Sequence, residues 1–400
     1  MAWKGDDTLR LYLDTKVQRN WDIRNEILPS LPKEFPHYKF SESNLRRMLK
    51  HFGIRKTREA DKANLRGYIE LILARSTGSL GYRAVAAILR NKYDIRVSEK
   101  AVEDELLEIE PENVARRDPA NKLKHVQKGD FSVKGPNYLY SLDGHDKLAG
   151  LFGATFDIHI YGAMDTFSRK VMVMKVAHTN KNPKIVGKMY FDFVMKNRFI
   201  PRRIRVDRGT ETGEIAAIQL FLLQKNGFPQ TPIEGVIYGP STANRIERLW
   251  RTLKEHLEPM YKEQLRELAS SGYYQPADPV DRNLLSAIYI PHVQRSLDEF
   301  VQYWNSHKIR AQSIEMPCGR PDVLFDNPAE PYQDCRIVVT TADLLELSDQ
   351  SDMNNVQTEL QLLPEVAAAL NNVNLLDEAP QRAERQYVRA RSIITTATTT

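Results

Sequence analysis

Three acidic residues stand where side chains of an α/β protein commonly meet a ligand. Asp143 closes the strand-like run YLYSLD, and Asp207 closes a second such run, RIRVD. Glu247 lies in NRIERLW, inside a predicted helix that follows the glycine and proline of YGPSTAN. Side chains at strand ends leave the packed sheet and face the loops. The three acids therefore converge on one point if the two strands are neighbours and the helix crosses their ends.

Convergent carboxylates repel one another unless a cation lies among them, and hard divalent ions prefer oxygen ligands. The three acids thus predict a site for Mg²⁺ or Mn²⁺, with two ions expected. Two metal ions can activate a nucleophile, stabilise the phosphate under attack and neutralise the leaving oxygen of a phosphodiester. In this interpretation Asp143 bridges the ions, Asp207 holds one of them, and Glu247 holds the other.

Each acid also has a structural interpretation. An aspartate at a strand end often forms a turn, and Glu247 has Arg251 four residues later on the same helix. Asp146 is the alternative to Asp143, and Glu211 replaces Asp207 if the strand ends later. The nearby histidines are given no catalytic role, because metal-assisted phosphoryl transfer can proceed without a histidine base.

Basic residues surround these acids. The stretch RRIRVDRGTE places four arginines around Asp207, and we predict that Arg205 and Arg208 contact phosphates. On the helix of Glu247, Arg248, Arg251 and Lys254 recur on one polar face, which is either a DNA-backbone contact or an ordinary solvated face. Ile246, Leu249, Trp250 and Leu253 are predicted to face the core.

The surrounding pattern predicts an α/β core with five strands, in NYLYSLD, FDIHIYGAMD, KVMVMKVA, RRIRVD and EGVIYG, and with helices between and after the later strands. Residues 1–125 have helical spacing throughout and contain two helix pairs that resemble helix-turn-helix motifs. The second pair ends in an acidic helix. We therefore favour residues 41–58 for DNA contact, through Arg46, Arg47 and Lys50.

Composition sets the remaining limits. The chain has 400 residues, a formal net charge of +5 and only two cysteines, which argues for several domains and against a disulfide framework or a structural zinc site. No apolar run is long enough for a membrane span, and no secretion signal is evident. Residues 126–136 are interpreted as a linker. Residues 331–400 carry 5 Lys and Arg against 10 Asp and Glu and are predicted to form a flexible tail.

The ordered strings LDGHDKL, GAMDTFSRKV, RVDRGTE and RIERLWRTLKE resemble the DDE integrase and transposase superfamily. The region that follows, from DEFVQYWNSHKIRAQ to PCGRPDVLF, is similar to the carboxy-terminal part of the integrase core domains of eukaryotic mobile elements and genes derived from them. The resemblance covers residues 136–330. It implies a ribonuclease H-like mixed five-stranded sheet with helices on both faces, spanning residues 137–330 with a helical extension and preceded by the all-α region. It also implies that Asp143, Asp207 and Glu247 are the metal-binding catalytic triad, and that Asp165 is a non-catalytic hairpin aspartate.

The sequence departs from the retroviral integrase pattern in two ways: 39 residues separate Asp207 from Glu247, which implies a small insertion, and no zinc module precedes the core. The resemblance implies metal-dependent DNA cleavage and strand transfer, with element ends and target DNA as partners, a homo-oligomer on DNA, and a nuclear location. Two alternatives stay open: a domesticated DNA-binding protein without catalysis, and a ribonuclease H-like nuclease.

Overall fold

A computed structural model of the chain describes residues 2–74, 80–111, 114, 133–151, 154–179, 182–207, 209, 212–228, 235–239, 246–309, 317–371 and 382–399. The chain forms two compact units. The first comprises Met1–Ala74, Ser79–Ser132 and Gln302–Gln333, and the second comprises Arg75–Gly78, Val133–Val301 and Asp334–Thr400. Within the described residues, no helix is both long and apolar enough to cross a membrane.

The first unit is helical, as predicted for residues 1–125. Its helices are α1 (Asp7–Gln18), α2 (Leu28–Glu34), α3 (Glu42–His51), α4 (Leu65–Ala74), α5 (Tyr82–Tyr93) and α6 (Glu99–Ile109), with shorter turns at Ala2–Gly5, Ile23–Ile27 and Glu59–Lys62 and a short helix at Pro321–Asp326. The Ser41 hydroxyl caps α3 by accepting a hydrogen bond from the Asn44 amide at 3.2 Å. Gly53, with a φ of +68°, follows the end of that helix. Both predicted helix pairs are therefore present as helices.

The second unit is built on a five-stranded sheet. Its strands are β1 (Leu139–His145), β4 (His159–Asp165), β5 (Val171–Ala177), β7 (Arg203–Val206) and β8 (Val236–Tyr238); β2 (Gly150–Leu151) pairs with β3 (Ala154–Thr155), and β6 (Phe199–Ile200) pairs with β9 (Ile337–Val338). The sheet order is β5-β4-β1-β7-β8. Strands β4 and β5 are antiparallel to their neighbours, whereas β7 and β8 run parallel to β1. All five strands predicted from the sequence are members of this mixed sheet.

Helices of the second unit are α7 (Pro183–Asn197), α8 (Gly213–Lys225), α9 (Glu247–His256), α10 (Glu258–Ser270), α11 (Pro279–Ser306, of which the residues from Gln302 on are assigned to the first unit), α12 (Thr341–Ser351), α13 (Pro364–Leu370) and α14 (Ala383–Thr399). Tyr140 and Ile204 belong to a core that includes apolar side chains of α7 and α8, so these helices cover one face of the sheet. Gly187 is required where α7 meets α8, because a Cβ there would lie 2.5 Å from the Glu214 Cβ. Trp250 of α9 packs against Gly162 of β4, so α9 covers the other face.

The expectation of a flexible tail at residues 331–400 is wrong for the described part of that segment. Strand β9 pairs with β6, and Leu344 and Leu347 of α12 are buried in the same core as α8. Helix α14 buries Tyr387 completely, and Arg391 forms ion pairs with Asp278 and the buried Asp281. The acidic composition suggested a segment without a packed core. The apolar residues of these helices nevertheless recur at helical spacing and are buried together.

The predicted domain boundaries also need correction. Residues 302–333 belong to the first unit rather than to the core domain drawn to residue 330, and residues 334–399 complete the second. Residues 115–132, which contain most of the predicted linker, lie outside the described residues. The linker's last residues, Val133, Gly135 and Pro136, are buried.

Candidate active site

Asp143 lies in β1, and Asp207 directly follows β7, the strand that pairs with β1. The parallel ladder of β1 and β7 sets Leu139 opposite Arg203 and Ser141 opposite Arg205. Continued by two residues in each segment, this register sets Asp143 opposite Asp207. Because alternate side chains of a strand share a face, this register puts Asp143 and Asp207 on the same face of the sheet.

Glu247 is the first residue of α9, and its helix is anchored directly to Asp143. The indole Nε1 of Trp250 donates a hydrogen bond to the Asp143 Oδ2 at 3.0 Å. Residues three apart on a helix are neighbours on its surface, so Glu247 lies one turn from the residue that contacts Asp143. Glu247 is exposed, whereas Trp250 is buried.

The close approach of α9 to the sheet depends on Gly162, the residue of β4 that pairs with Asp143. A Cβ on Gly162 would lie 2.8 Å from the Trp250 Cη2. The predicted apolar face of α9 is confirmed, because Ile246, Leu249, Trp250 and Leu253 are all buried. The sequence did not reveal that Trp250 also donates a hydrogen bond to Asp143. The feature that could have indicated it is the position of Trp250, one helical turn after Glu247.

The surroundings of Asp143, which include both other acids, raise its pKa. Burial raises the pKa of Asp143 to about 6; the hydrogen bond from Trp250 lowers it, and repulsion from Glu247 and then Asp207 raises it further. Both other acids therefore lie close enough to Asp143 to interact with it through space. A partly buried carboxyl group with two like-charged neighbours is favourable for binding a cation and costly when ionised without one.

Replacing Asp143 by Asn is expected to stabilise the metal-free protein above pH 6. The pKa of Asp143 is about 6 in the folded protein against 3.8 for the unperturbed group, so the folded state binds more protons between these values. The wild-type free energy of unfolding therefore falls, on account of this group, as the pH rises through that window. The full shift corresponds to about 3 kcal/mol, which solvent screening of this half-buried group reduces to about 1–2 kcal/mol.

The measurement is urea unfolding of the wild type and of Asp143→Asn from pH 3.5 to pH 8 in EDTA. The difference between the two proteins is the informative quantity, because Asp165 also has a pKa raised to about 6 by its burial and contributes equally to both. A stability difference that does not change with pH would contradict the assigned environment of Asp143.

Behind the acids lies a buried polar chain that the sequence analysis did not find. His145, the last residue of β1, stacks on Trp250 with ring centroids 4.9 Å apart. Its Nε2 donates to the Glu258 Oε1 at 2.6 Å, and Lys262 pairs with the other oxygen of Glu258. Although burial raises the pKa of Glu258, hydrogen bonds from His145 and Lys262 hold it below its ordinary value. These contacts fix the indole that bonds to Asp143.

Asp165 has a structural position, consistent with its predicted non-catalytic role. It is fully buried at the end of β4 and accepts hydrogen bonds from the Asn137 amide at 2.9 Å and from the Ser168 amide at 2.7 Å. The Ser168 hydroxyl also donates to it at 2.6 Å. These bonds close the β4–β5 hairpin and engage both carboxylate oxygens of Asp165.

The arginines around Asp207 are not equivalent. Arg202 lies over the ring of Phe228 at 4.1 Å, and Arg203 lies over the ring of Tyr138 at 5.6 Å, so both contribute to packing. Arg205 is half-buried, and strand alternation puts it on the same face as Asp207. Arg208 lies outside the described residues.

The other predicted DNA contacts lie at the surface. On α9 the side chains of Arg248, Arg251 and Lys254 are exposed, opposite the apolar face of that helix. In the first unit Arg46, Arg47 and Lys50 of α3 are exposed as well, and Arg46 pairs with Glu42. Their exposure is compatible with both interpretations given above, a DNA contact and a solvated helix face.

Of the two alternative acids, Asp146 is exposed beyond the end of β1 and pairs with the His159 Nδ1 at 2.9 Å. Glu211 lies outside the described residues. Asp143 within β1 and Asp146 beyond its end therefore have different surroundings, and the choice of Asp143, Asp207 and Glu247 stays a prediction.

The three acids suit a divalent metal ion by their chemistry but not by their arrangement. Their oxygen donors and mutual repulsion suit Mg²⁺ or Mn²⁺. In the described part of the chain, however, no group of three or more His, Cys, Asp or Glu side chains is arranged to hold a metal ion. Like-charged carboxylates draw apart without a cation between them, so the donor chemistry fits although the three groups do not form a finished ligand shell.

The sheet order, the strand directions and the helices on both faces define a ribonuclease H-like α/β domain. Residues 130–320, a little under half of the chain, match the family model described as integrase core domain. This stretch of the chain is therefore similar to an integrase core domain, the family that the sequence motifs resemble. Domains of this family belong to the polynucleotidyl transferases, which act on DNA and generally use divalent metals. No curated protein matches the chain.

Proposed function

We propose that this protein catalyses metal-dependent DNA strand cleavage and strand transfer, with Asp143, Asp207 and Glu247 as the catalytic carboxylates. The observation that carries the proposal is the electrostatic coupling of Asp143 to both other acids on one face of an integrase core domain. Bound Mg²⁺ or Mn²⁺ would supply Lewis-acid stabilisation of the phosphate and of the leaving oxygen.

The protein's own groups have distinct tasks in this proposal. Asp143 in β1, Asp207 directly after β7 and Glu247 at the start of α9 would hold the cation. Trp250 holds Asp143 in place through its 3.0 Å hydrogen bond. The exposed basic side chains of α9 lie on the same helix as Glu247, where they would contact the DNA backbone.

Metal binding is tested without any DNA substrate. Mg²⁺ or Mn²⁺ at 100 times its dissociation constant is expected to stabilise the wild type by about 2.7 kcal/mol, because the ion binds only the folded state. Asp143→Asn should lose most of this gain. The control is Asp192→Asn, an exposed acid on α7 at the opposite face of the sheet, which should keep the gain. The readout is thermal unfolding across a metal titration.

Equal stabilisation of the wild type and Asp143→Asn would exclude these acids as the metal site. The two alternative functions are separated by substrate: metal-dependent cleavage of RNA–DNA hybrids in preference to duplex DNA would indicate a ribonuclease H-like nuclease. DNA binding without cleavage of either substrate would indicate a domesticated binding protein. Homo-oligomerisation on DNA and a nuclear location stay predictions of the family resemblance.

A further inference from the structure

The first unit contains a cationic cleft that is separate from the three acids. It is lined by the end of α1, by α5, by the start of α6 and by residues 306–308 and 320, and it opens to solvent. Apart from His307, the charged side chains that line it within the described part of the chain are five cations and one acid: Arg19, Arg83, Arg90, Lys308, Arg320 and Glu99.

The charges at the rim of the cleft are partly compensated. Arg320 donates to both oxygens of Glu26 at 2.7 Å, and Arg19 lies 3.9 Å from Asp322. Glu99, the acid in the lining, lies 3.5 Å from Arg83. The cleft therefore keeps an excess of positive charge that these acids do not neutralise.

Arg90 differs from its neighbours because it is buried, with 4% of its surface exposed. Its Nη2 donates to the Val97 carbonyl oxygen, but its Nε is buried and has no hydrogen-bond partner. Among the residues that the structure describes, Arg90 makes no ion pair. Burial lowers the pKa of this guanidinium to about 10, so it still carries its charge at neutral pH.

A buried charge is normally paired, because removing it from water without a partner is costly. An anion in the cleft would satisfy both the charge and the free N–H of Arg90. Phosphate suits a guanidinium because its oxygens accept charge-assisted hydrogen bonds in the plane of the fork. We propose that this cleft binds a phosphate group, with Arg90 as the buried contact and the exposed Lys308 at the rim. This phosphate group belongs either to free inorganic phosphate or to a nucleic-acid backbone.

The test is calorimetric titration of the full chain with inorganic phosphate at constant ionic strength set by chloride. The wild type should bind one phosphate saturably. Arg90→Met should weaken binding by about 10- to 100-fold, the loss expected for one charge-assisted hydrogen bond. Lys308→Gln is a surface change that keeps the fold, and it should weaken binding several-fold. Arg66→Gln, an exposed arginine of the same unit outside the cleft, should bind as the wild type does.

A short DNA duplex then separates the two sources. If the duplex competes with phosphate for the wild type but not for Lys308→Gln, the nucleic-acid backbone is the source of the phosphate group. If phosphate binds and the duplex does not compete, the free anion is the ligand. Phosphate that binds no better than chloride, or equal phosphate affinities in the wild type and Lys308→Gln, would overturn the proposal and leave a water-filled cleft. None of these outcomes depends on the three acids, so the proposal stands or falls separately from the proposed enzymatic function.

Discussion

Asp207→Asn is expected to reduce metal-dependent DNA strand cleavage and joining by at least about 100-fold to 1000-fold, a loss typical of removing one electrostatic contributor to a transition state. Asp207 follows β7 directly and lies opposite Asp143 in the continued register. Asparagine keeps the size of the side chain and the oxygen that accepts the Gly209 amide at 3.1 Å. The variant therefore removes the charge and leaves the local turn in place.

The assay combines nicking of supercoiled plasmid with joining of a labelled duplex, each in Mn²⁺ and in EDTA. Glu247→Gln should lose activity comparably, whereas Glu255→Gln, an exposed acid on the same helix, should retain it. Fluorescence anisotropy with the same duplex should show that Asp207→Asn still binds DNA, which separates lost chemistry from lost binding. Undiminished cleavage by Asp207→Asn would remove this residue from the mechanism.

Leu344→Ala is expected to destabilise the second unit by about 2–4 kcal/mol, the usual cost of a cavity left by a buried leucine. Leu344 is 3% exposed and lies in the core shared by the sheet and helices α7 and α8. The adjacent Leu345 is 59% exposed, so Leu345→Ala should change stability by less than about 0.5 kcal/mol. The pair tests whether residues after 334 belong to the second unit.

The measurement is denaturant unfolding, monitored by tryptophan fluorescence and by circular dichroism. If the two units unfold in separate transitions, Leu344→Ala should shift only one of them. Equal effects of the two substitutions would mean that α12 does not pack as described. A flexible tail, which the acidic composition suggested, predicts that neither substitution changes stability.

Local patterns determined the elements of this protein well. Alternating apolar residues fixed the five strands, and helical spacing fixed α7, α8 and the apolar face of α9, because burial on one side imposes these periods directly on the sequence. Caps such as Ser41 were visible for the same reason: their hydrogen bonds join residues only a few positions apart. The positions of the three acids at element ends followed from these local signals.

Only the tertiary structure decided which side chains share a site. The hydrogen bond between Trp250 and Asp143 joins residues 107 positions apart, and that between His145 and Glu258 joins residues 113 apart. Arg202 and Arg203 lie on aromatic rings of residues outside their own segment, which the stretch RRIRVDRGTE does not reveal. The segment after residue 334 joined the core because its buried face matches a surface formed by distant helices, and composition carries no information about such a match.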